Sequence, residues 1–176
     1  MDRRKFLKNT LALGAVLSVP LPFSNRLFAS NLASDLTDFS ASELSTAIRI
    51  KQVSCVEVMK AYLDRIHLYN PVYNAIVSMV SDDELLLQAQ KADLALSRNE
   101  YWGWMHGMPH AVKDLTPVKG LPYTDGSPMF AKRIAEEDGA IVTKIRNQGA
   151  IFIGKTNAPE FGLGSQTYNP VFGTTG

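Results

Sequence analysis

The stretch with the plainest chemical pattern runs from Gly149 to Thr156 and reads Gly-Ala-Ile-Phe-Ile-Gly-Lys-Thr. One glycine, four variable residues and Gly-Lys-Thr satisfy the P-loop pattern, in which backbone amides and the lysine hold nucleotide phosphates. In a working P-loop a strand precedes the first glycine, the variable residues curl around the phosphates, and a helix follows. The elements on either side of Lys155 therefore decide whether this pattern indicates nucleotide binding.

The elements around Lys155 are predicted in the order helix, glycine, strand, which is the reverse of the P-loop order. Asp138 suits the N-cap of a helix that ends near Gly149, where a left-handed C-cap glycine belongs. The apolar run 150–153 is then a buried strand, and Pro159 discourages a helix soon after Thr156. We therefore predict that no nucleotide binds here and that Lys155 serves packing or stability.

Three helices are predicted in the first half of the chain from one repeated pattern, a serine three residues before a glutamate. This spacing forms a capping box, which satisfies the free amide groups of the first helical turn. The three pairs are Ser40–Glu43, Ser54–Glu57 and Ser81–Glu84. The second helix is predicted to stop at Asn70-Pro71, and 75–80 is predicted to be a short strand before the third helix.

After residue 100 short apolar runs alternate with turns that contain Gly and Pro. The run His110-Ala111-Val112-Lys113 is predicted to be a strand that leaves the turn at 107–109. The segment 119–128 holds two glycines, two prolines and an Asp-Gly pair, which is typical of an ordered loop. Because helices and strands alternate along the chain, the predicted fold class is α/β.

Charge is distributed unevenly along the 176 residues. Residues 1–29 hold five basic side chains and one acid, which leaves 13 basic and 16 acidic groups in the rest of the chain. A mildly acidic body gives no electrostatic reason to expect nucleic acid as a partner. The single cysteine, Cys55, excludes an intrachain disulfide and a cysteine-based metal cluster.

The basic N-terminus is typical of an export signal. A charged start is followed by a short apolar run, 11–19, and by small residues near Ala29. The letters Arg3-Arg4-Lys5-Phe6-Leu7-Lys8 are similar to the twin-arginine signal, although Asp2 stands where that pattern prefers Ser or Thr. We therefore predict a signal peptide over 1–29, the twin-arginine translocase as a partner during export, and a periplasmic or secreted location. A basic tail before a buried helix is the alternative.

The second half of the sequence resembles the amidase signature family. The resemblance lies in several motifs in the order in which that family has them, which makes it more specific than any single pattern. It is sharpest after Gly107 and extends weakly back to the helix after Ser54. The motifs read Gly107-Met-Pro-His-Ala-Val-Lys-Asp114, Lys119-Gly-Leu-Pro122, Gly126-Ser127, Gly154-Lys-Thr-Asn-Ala-Pro-Glu-Phe161 and Asn169-Pro-Val-Phe-Gly-Thr-Thr-Gly176.

The resemblance implies the N-terminal portion of an α/β/α sandwich with a mixed central sheet, over residues 30–176. It also implies hydrolysis of linear carboxylic amides by a Ser, cis-Ser, Lys triad, in which Lys113 is the lysine. Burial at the end of an apolar strand would lower the pKa of such a lysine toward a value useful in a base. Strand alternation points Asp114 to the opposite face, so Asp114 need not hold a proton on Lys113.

The two serines of the implied triad have no counterpart in the 176 residues. Ser127 and Ser165 each follow a glycine, yet neither completes Gly-x-Ser-x-Gly. His67, His106 and His110 form neither a Ser-His-Asp set nor a metal pair on one helix, so packing roles are expected and no metal or cofactor is implied. We expect the N-terminal part of an exported amidase, inactive by itself, with a small-molecule or peptide amide as substrate. The alternative is a non-catalytic amidase-like binding module.

Overall fold

The computed structural model describes residues 36–176, so the predicted signal peptide lies outside the described residues. Short 3-10 turns cover Leu36–Asp38, Pro128–Phe130 and Glu160–Gly162. The helices are α1 (Ala41–Arg49), α2 (Cys55–Tyr73), α3 (Asp82–Ser97) and α4 (Ala140–Arg146). The strands are β1 (Ile76–Val77), β2 (Pro109–Lys113), β3 (Ile151–Thr156), β4 (Tyr168–Asn169) and β5 (Gly173–Thr174).

The main sheet has the strand order β1-β3-β2, with β2 parallel and β1 antiparallel to β3. Helices α1, α2 and α3 cover one face of it, where Ile151 and Ile153 join a core with Met59 and Leu85. Phe152 points to the other face and packs with residues of α4 and of the loop after β2. Apolar side chains on both faces of β3 thus bury the sheet between two layers, which confirms the predicted α/β fold with a mixed sheet.

Two of the three predicted capping boxes are complete. Ser40 and Ser54 each accept a hydrogen bond from the amide of the glutamate three residues on, whose carboxylate accepts from the serine amide in return. Ser81 accepts from the Glu84 amide at 3.4 Å, which gives the N-cap bond of α3. The local signal therefore placed all three helix starts correctly.

The predicted stop at Asn70-Pro71 is wrong, because α2 continues through Pro71 to Tyr73. Proline removes one amide donor and disfavours a helical residue before it, so contacts from outside the local sequence must fix the end of the longer helix. Asn74 supplies that end: it is left-handed with φ 48°, and its Nδ2 donates to Phe172 O at 2.7 Å. The strand predicted over 75–80 is correspondingly short, covering only Ile76–Val77.

Asp138 is not the N-cap that the sequence predicts. Gly139 occupies the N-cap of α4, and the Asp138 carboxylate accepts instead from the Lys119 amide and from the Arg146 guanidinium. The tertiary partners outcompete the local cap because they bond both carboxylate oxygens. Between residues 36 and 176, no helix is both long enough and apolar enough to cross a membrane.

Candidate active site

The motifs of the second half converge where the parallel strands β2 and β3 end. Lys113 is the last residue of β2 and is the register partner of Thr156, the last residue of β3. Thr156 in turn pairs with Ile76 of β1, so these three residues form one row across the sheet. The carboxyl edge of parallel strands is where α/β proteins place their ligands.

Lys113 is exposed, whereas Asp114 directly after it is fully buried. This contrast confirms the alternation that separates the two side chains. The desolvation expected for Lys113 is not found in residues 36–176, because the strand ends at the surface. In the described part of the chain no carboxylate lies within 4.0 Å of the Lys113 ammonium.

A bulge in β3 determines where Lys155 points. His110 pairs with Phe152, but Ala111 pairs with Gly154, so Ile153 is an extra residue. In a regular strand without a bulge, side chains alternate, and Lys155 would follow Ile151 and Ile153 toward the apolar face covered by α1, α2 and α3. The bulge instead turns Lys155 to the face of Phe152.

Gly154 is required at the bulge because another segment passes close to it. A Cβ atom at this position would lie 3.0 Å from Met79 Cα and 3.1 Å from Ser78 O. The Val80 amide donates to Ile153 O at 2.9 Å beside it, which ties that segment to β3. The glycine of the Gly-Lys-Thr pattern thus admits a neighbouring backbone segment.

Lys155 is completely buried and forms an ion pair with Asp114, with 3.5 Å between Nζ and Oδ1. Its ammonium also donates to the carbonyl oxygen of Thr116 and lies 3.5 Å from that of Pro122. Burial lowers the pKa of Lys155 below its ordinary value, while the neighbouring Asp114 carboxylate opposes this shift. A lysine so enclosed cannot reach a phosphate, which agrees with the prediction against nucleotide binding.

Asp114 also organises the loop that follows β2. Its Oδ2 accepts from the amide and the hydroxyl of Thr124, and its carbonyl oxygen accepts from the Asp125 amide at 3.1 Å. Asp125 pairs with Arg133, whose guanidinium stacks on the Tyr123 ring with 3.8 Å to the centroid. The carboxylate of Asp125 therefore has its own cation, and Lys155 compensates Asp114.

Two buried asparagines hold the segment after β3. Asn169 Nδ2 donates to Asn157 Oδ1 at 2.6 Å and to Ala158 O at 2.7 Å. Asn169 Oδ1 accepts from the amides of Val171 and Phe172, which forms a tight turn. Gly126, with φ +66°, packs against this turn, where a Cβ atom would lie 3.0 Å from Ala158 O. The motifs Gly126-Ser127, Thr156-Asn157 and Asn169-Pro170 thus pack together at the carboxyl edge of the sheet.

Two grooves open along this edge. One, of about 540 Å³, is lined by the turn 159–163 together with Tyr168, Asn169 and Pro170. The other, of about 520 Å³, lies between the end of α2 and the start of β1, where Ile76 belongs to the row that ends in Lys113. Lys113 lines neither groove.

Comparison with known proteins agrees with this arrangement. The sequence model of the Amidase family matches residues 57–176. The chain belongs to the amidase family. Among curated amidase relatives, it is 39% identical over 142 residues to one component of the glutamyl-tRNA(Gln) amidotransferase of Acidothermus cellulolyticus, covering 81% of this chain and 28% of the relative. It is 35% identical over 136 residues to the acylamidase of Rhodococcus erythropolis, covering 77% of this chain and 28% of that protein.

Solved amidase structures confirm the fold. A fatty acid amide hydrolase superposes with a TM-score of 0.76 at 24% identity, covering 98% of this chain and 33% of that chain. A structure described as an amidase superposes with a TM-score of 0.71 at 26% identity, covering 78% and 31%. The present chain thus spans about a third or less of the length of the amidases it matches.

The packing role expected for the three histidines is found for His106 and His110, whereas His67 is exposed, with Nε2 2.8 Å from the Asp82 carboxylate. His106 is buried, with Nδ1 accepting from the Trp102 amide at 3.1 Å and Nε2 2.9 Å from Ala92 O. His110 meets the Phe152 ring edge-on, and burial lowers the pKa of its imidazole. Within residues 36–176 no group of three His, Cys, Asp or Glu side chains could hold a metal ion.

Sequence reasoning missed the Lys155–Asp114 pair. The strand-end positions of the two residues were a usable signal, because acid and base at the ends of adjacent buried parallel strands have few other partners. The bulge hid this signal, since strict alternation would put the two side chains on opposite faces.

Proposed function

We propose that residues 36–176 supply the lysine base of an enzyme that hydrolyses carboxylic amides, and that Lys113 is this base. The observation that carries the proposal is the position of Lys113: it ends β2 at the carboxyl edge that β2 shares with the parallel strand β3, free of a carboxylate partner within the described residues. Membership of the amidase family and relatives named acylamidase and indoleacetamide hydrolase support the reaction class.

The proposed reaction uses Lys113 as a proton relay to two serines that the family resemblance implies. The neutral amine of Lys113 accepts a proton from the bridging serine, which accepts one from the nucleophilic serine as its oxygen attacks the amide carbon. The proton then returns to the leaving nitrogen as the carbon–nitrogen bond breaks. Water hydrolyses the resulting acyl-enzyme. No step uses the buried Lys155.

A chimera tests this function directly. Residues 36–176 would replace the matching segment of the Rhodococcus erythropolis acylamidase, which retains its own remaining sequence. We expect the chimera to hydrolyse the parent's amide substrate and Lys113→Ala to abolish that turnover. A folded chimera with no activity would favour the alternative, a non-catalytic binding module. Translation of the DNA after codon 176 in all three frames for a Gly-Gly-Ser-Ser-like segment is an independent check.

We also propose export through the twin-arginine route, based on the letters Arg3-Arg4 with Phe6, Leu7 and Lys8. Replacing both arginines by lysine keeps the charge but removes the guanidinium groups. Fractionation of cells that export the wild-type protein should find the double variant retained in the cytoplasm. Undiminished periplasmic delivery of the variant would contradict this route, and Lys5→Arg, which leaves Arg3, Arg4, Phe6, Leu7 and Lys8 intact, is the matched control.

A further inference from the structure

A short chain of hydrogen bonds connects the buried Lys155 ammonium to the backbone of Lys113. Lys155 Nζ donates to Thr116 O, and the Thr116 amide donates to Lys113 O at 2.9 Å. The same ammonium lies 3.5 Å from Pro122 O, on the returning limb of the loop. Lys155 therefore contacts both limbs of the loop that leaves Lys113.

Asp114 closes the base of the same loop. Its amide donates to Thr156 O at 2.9 Å, which extends the β2–β3 ladder by one residue beyond Lys113. Its side chain bonds Thr124, at the other end of the loop, and its charge is compensated by Lys155. The residue after Lys113 is thus fixed to β3, to the loop end and to the buried ammonium.

We propose that the Lys155–Asp114 pair is a positioning unit for Lys113, holding the end of β2 and the loop 115–124 so that the Lys113 amine meets the reacting serine. This inference rests on the proposed function, in which Lys113 is the base. Proton transfer needs its partners within hydrogen-bond distance, so a shift of about 1 Å in the strand end lowers the rate while binding of substrate is retained.

The test uses the double variant Asp114→Asn plus Lys155→Met in the chimera. Either single change leaves an uncompensated buried charge and can unfold the protein, whereas the double change removes both charges and keeps the side-chain volumes. Lys144→Met, which removes an exposed ammonium on α4, is the matched control. Thermal unfolding establishes that the double variant is folded before any other measurement.

Two readouts separate positioning from general stability. We expect kcat to fall on the order of 10- to 100-fold in the folded double variant, with KM changed by no more than about threefold. We also expect hydrogen exchange at the Thr116 amide to quicken by about tenfold or more, while the Ile151 amide, bonded to Met108 O at 2.9 Å, keeps its protection.

A folded double variant with unchanged kcat would overturn the inference, and so would unchanged protection at Thr116. Lys113→Ala, assayed in parallel, separates this failure from failure of the proposed function. If Lys113→Ala is inactive and the double variant is fully active, only the positioning role is wrong. If Lys113→Ala is active, the function itself is wrong, and the exchange measurement still decides whether the pair orders the loop.

Discussion

Lys113 and Lys155 lie one register step apart on neighbouring parallel strands, yet their environments are opposite. Lys113 is exposed at the strand end, whereas Lys155 is completely buried against Asp114. Lys155, which lies within the P-loop pattern, is enclosed, whereas Lys113, at the end of the motif Gly107–Asp114, is accessible. The bulge in β3, and not the P-loop pattern around Lys155, determines that this ammonium is buried while that of Lys113 is exposed.

The two lysines are expected to differ most in how much they contribute to the free energy of unfolding. Replacing Lys155 by Met leaves the Asp114 carboxylate buried without its cation, so we expect a loss of about 3–5 kcal/mol in the free energy of unfolding. Replacing Lys113 by Met breaks no ion pair within residues 36–176, so a smaller loss of about 1 kcal/mol is expected. Urea unfolding of both variants in the chimera measures the difference. Equal stabilities would contradict the assignment of Lys155 as the structural lysine.

The bulge that separates the two environments can be tested at Gly154. In Gly154→Ala the new methyl group would press on Met79 Cα and Ser78 O, so we expect a loss of about 1–3 kcal/mol. Gly120→Ala is the comparison, because its Cβ would meet nothing within 4 Å and only the left-handed backbone, φ +83°, is strained. Its expected cost is about 1 kcal/mol. A Gly154→Ala variant as stable as wild type would show that the close approach is not needed.

The smallest expected effect concerns a partly exposed ion pair, Asp138–Arg146. Hydrogen bonds from the Arg146 guanidinium, with help from the Lys119 amide, lower the pKa of Asp138 below its ordinary 3.8. A lowered carboxyl pKa stabilises the fold above the unfolded-state pKa, and this contribution disappears as the pH falls through the folded-state pKa. Asp138→Asn should therefore cost up to about 1 kcal/mol at pH 7 and progressively less below pH 4. If Asp138→Asn lowers the free energy of unfolding as much below pH 4 as at pH 7, the lowered pKa of Asp138 does not contribute to stability.

Much of the fold could be predicted because its signals are local. Serine caps, glycine turns and apolar runs identified the helix starts and the strands β2 and β3. The errors arose where tertiary contacts overrode local preference: Asn74 lets α2 pass Pro71, and Arg146 with Lys119 draws Asp138 away from the N-cap. The Lys155–Asp114 pair could not be predicted by alternation. One extra residue in β3 puts each later side chain on the face of the sheet opposite to the one that strict alternation predicts.

The central claim is that Lys113 acts as the base, and Lys113→Arg tests it most directly. A guanidinium keeps the positive charge but stays protonated and cannot accept a proton from serine. In the active chimera we predict that kcat/KM falls on the order of 10²-fold or more in both Lys113→Arg and Lys113→Ala, with unchanged thermal unfolding. Substantial amide turnover by folded Lys113→Arg would contradict the account.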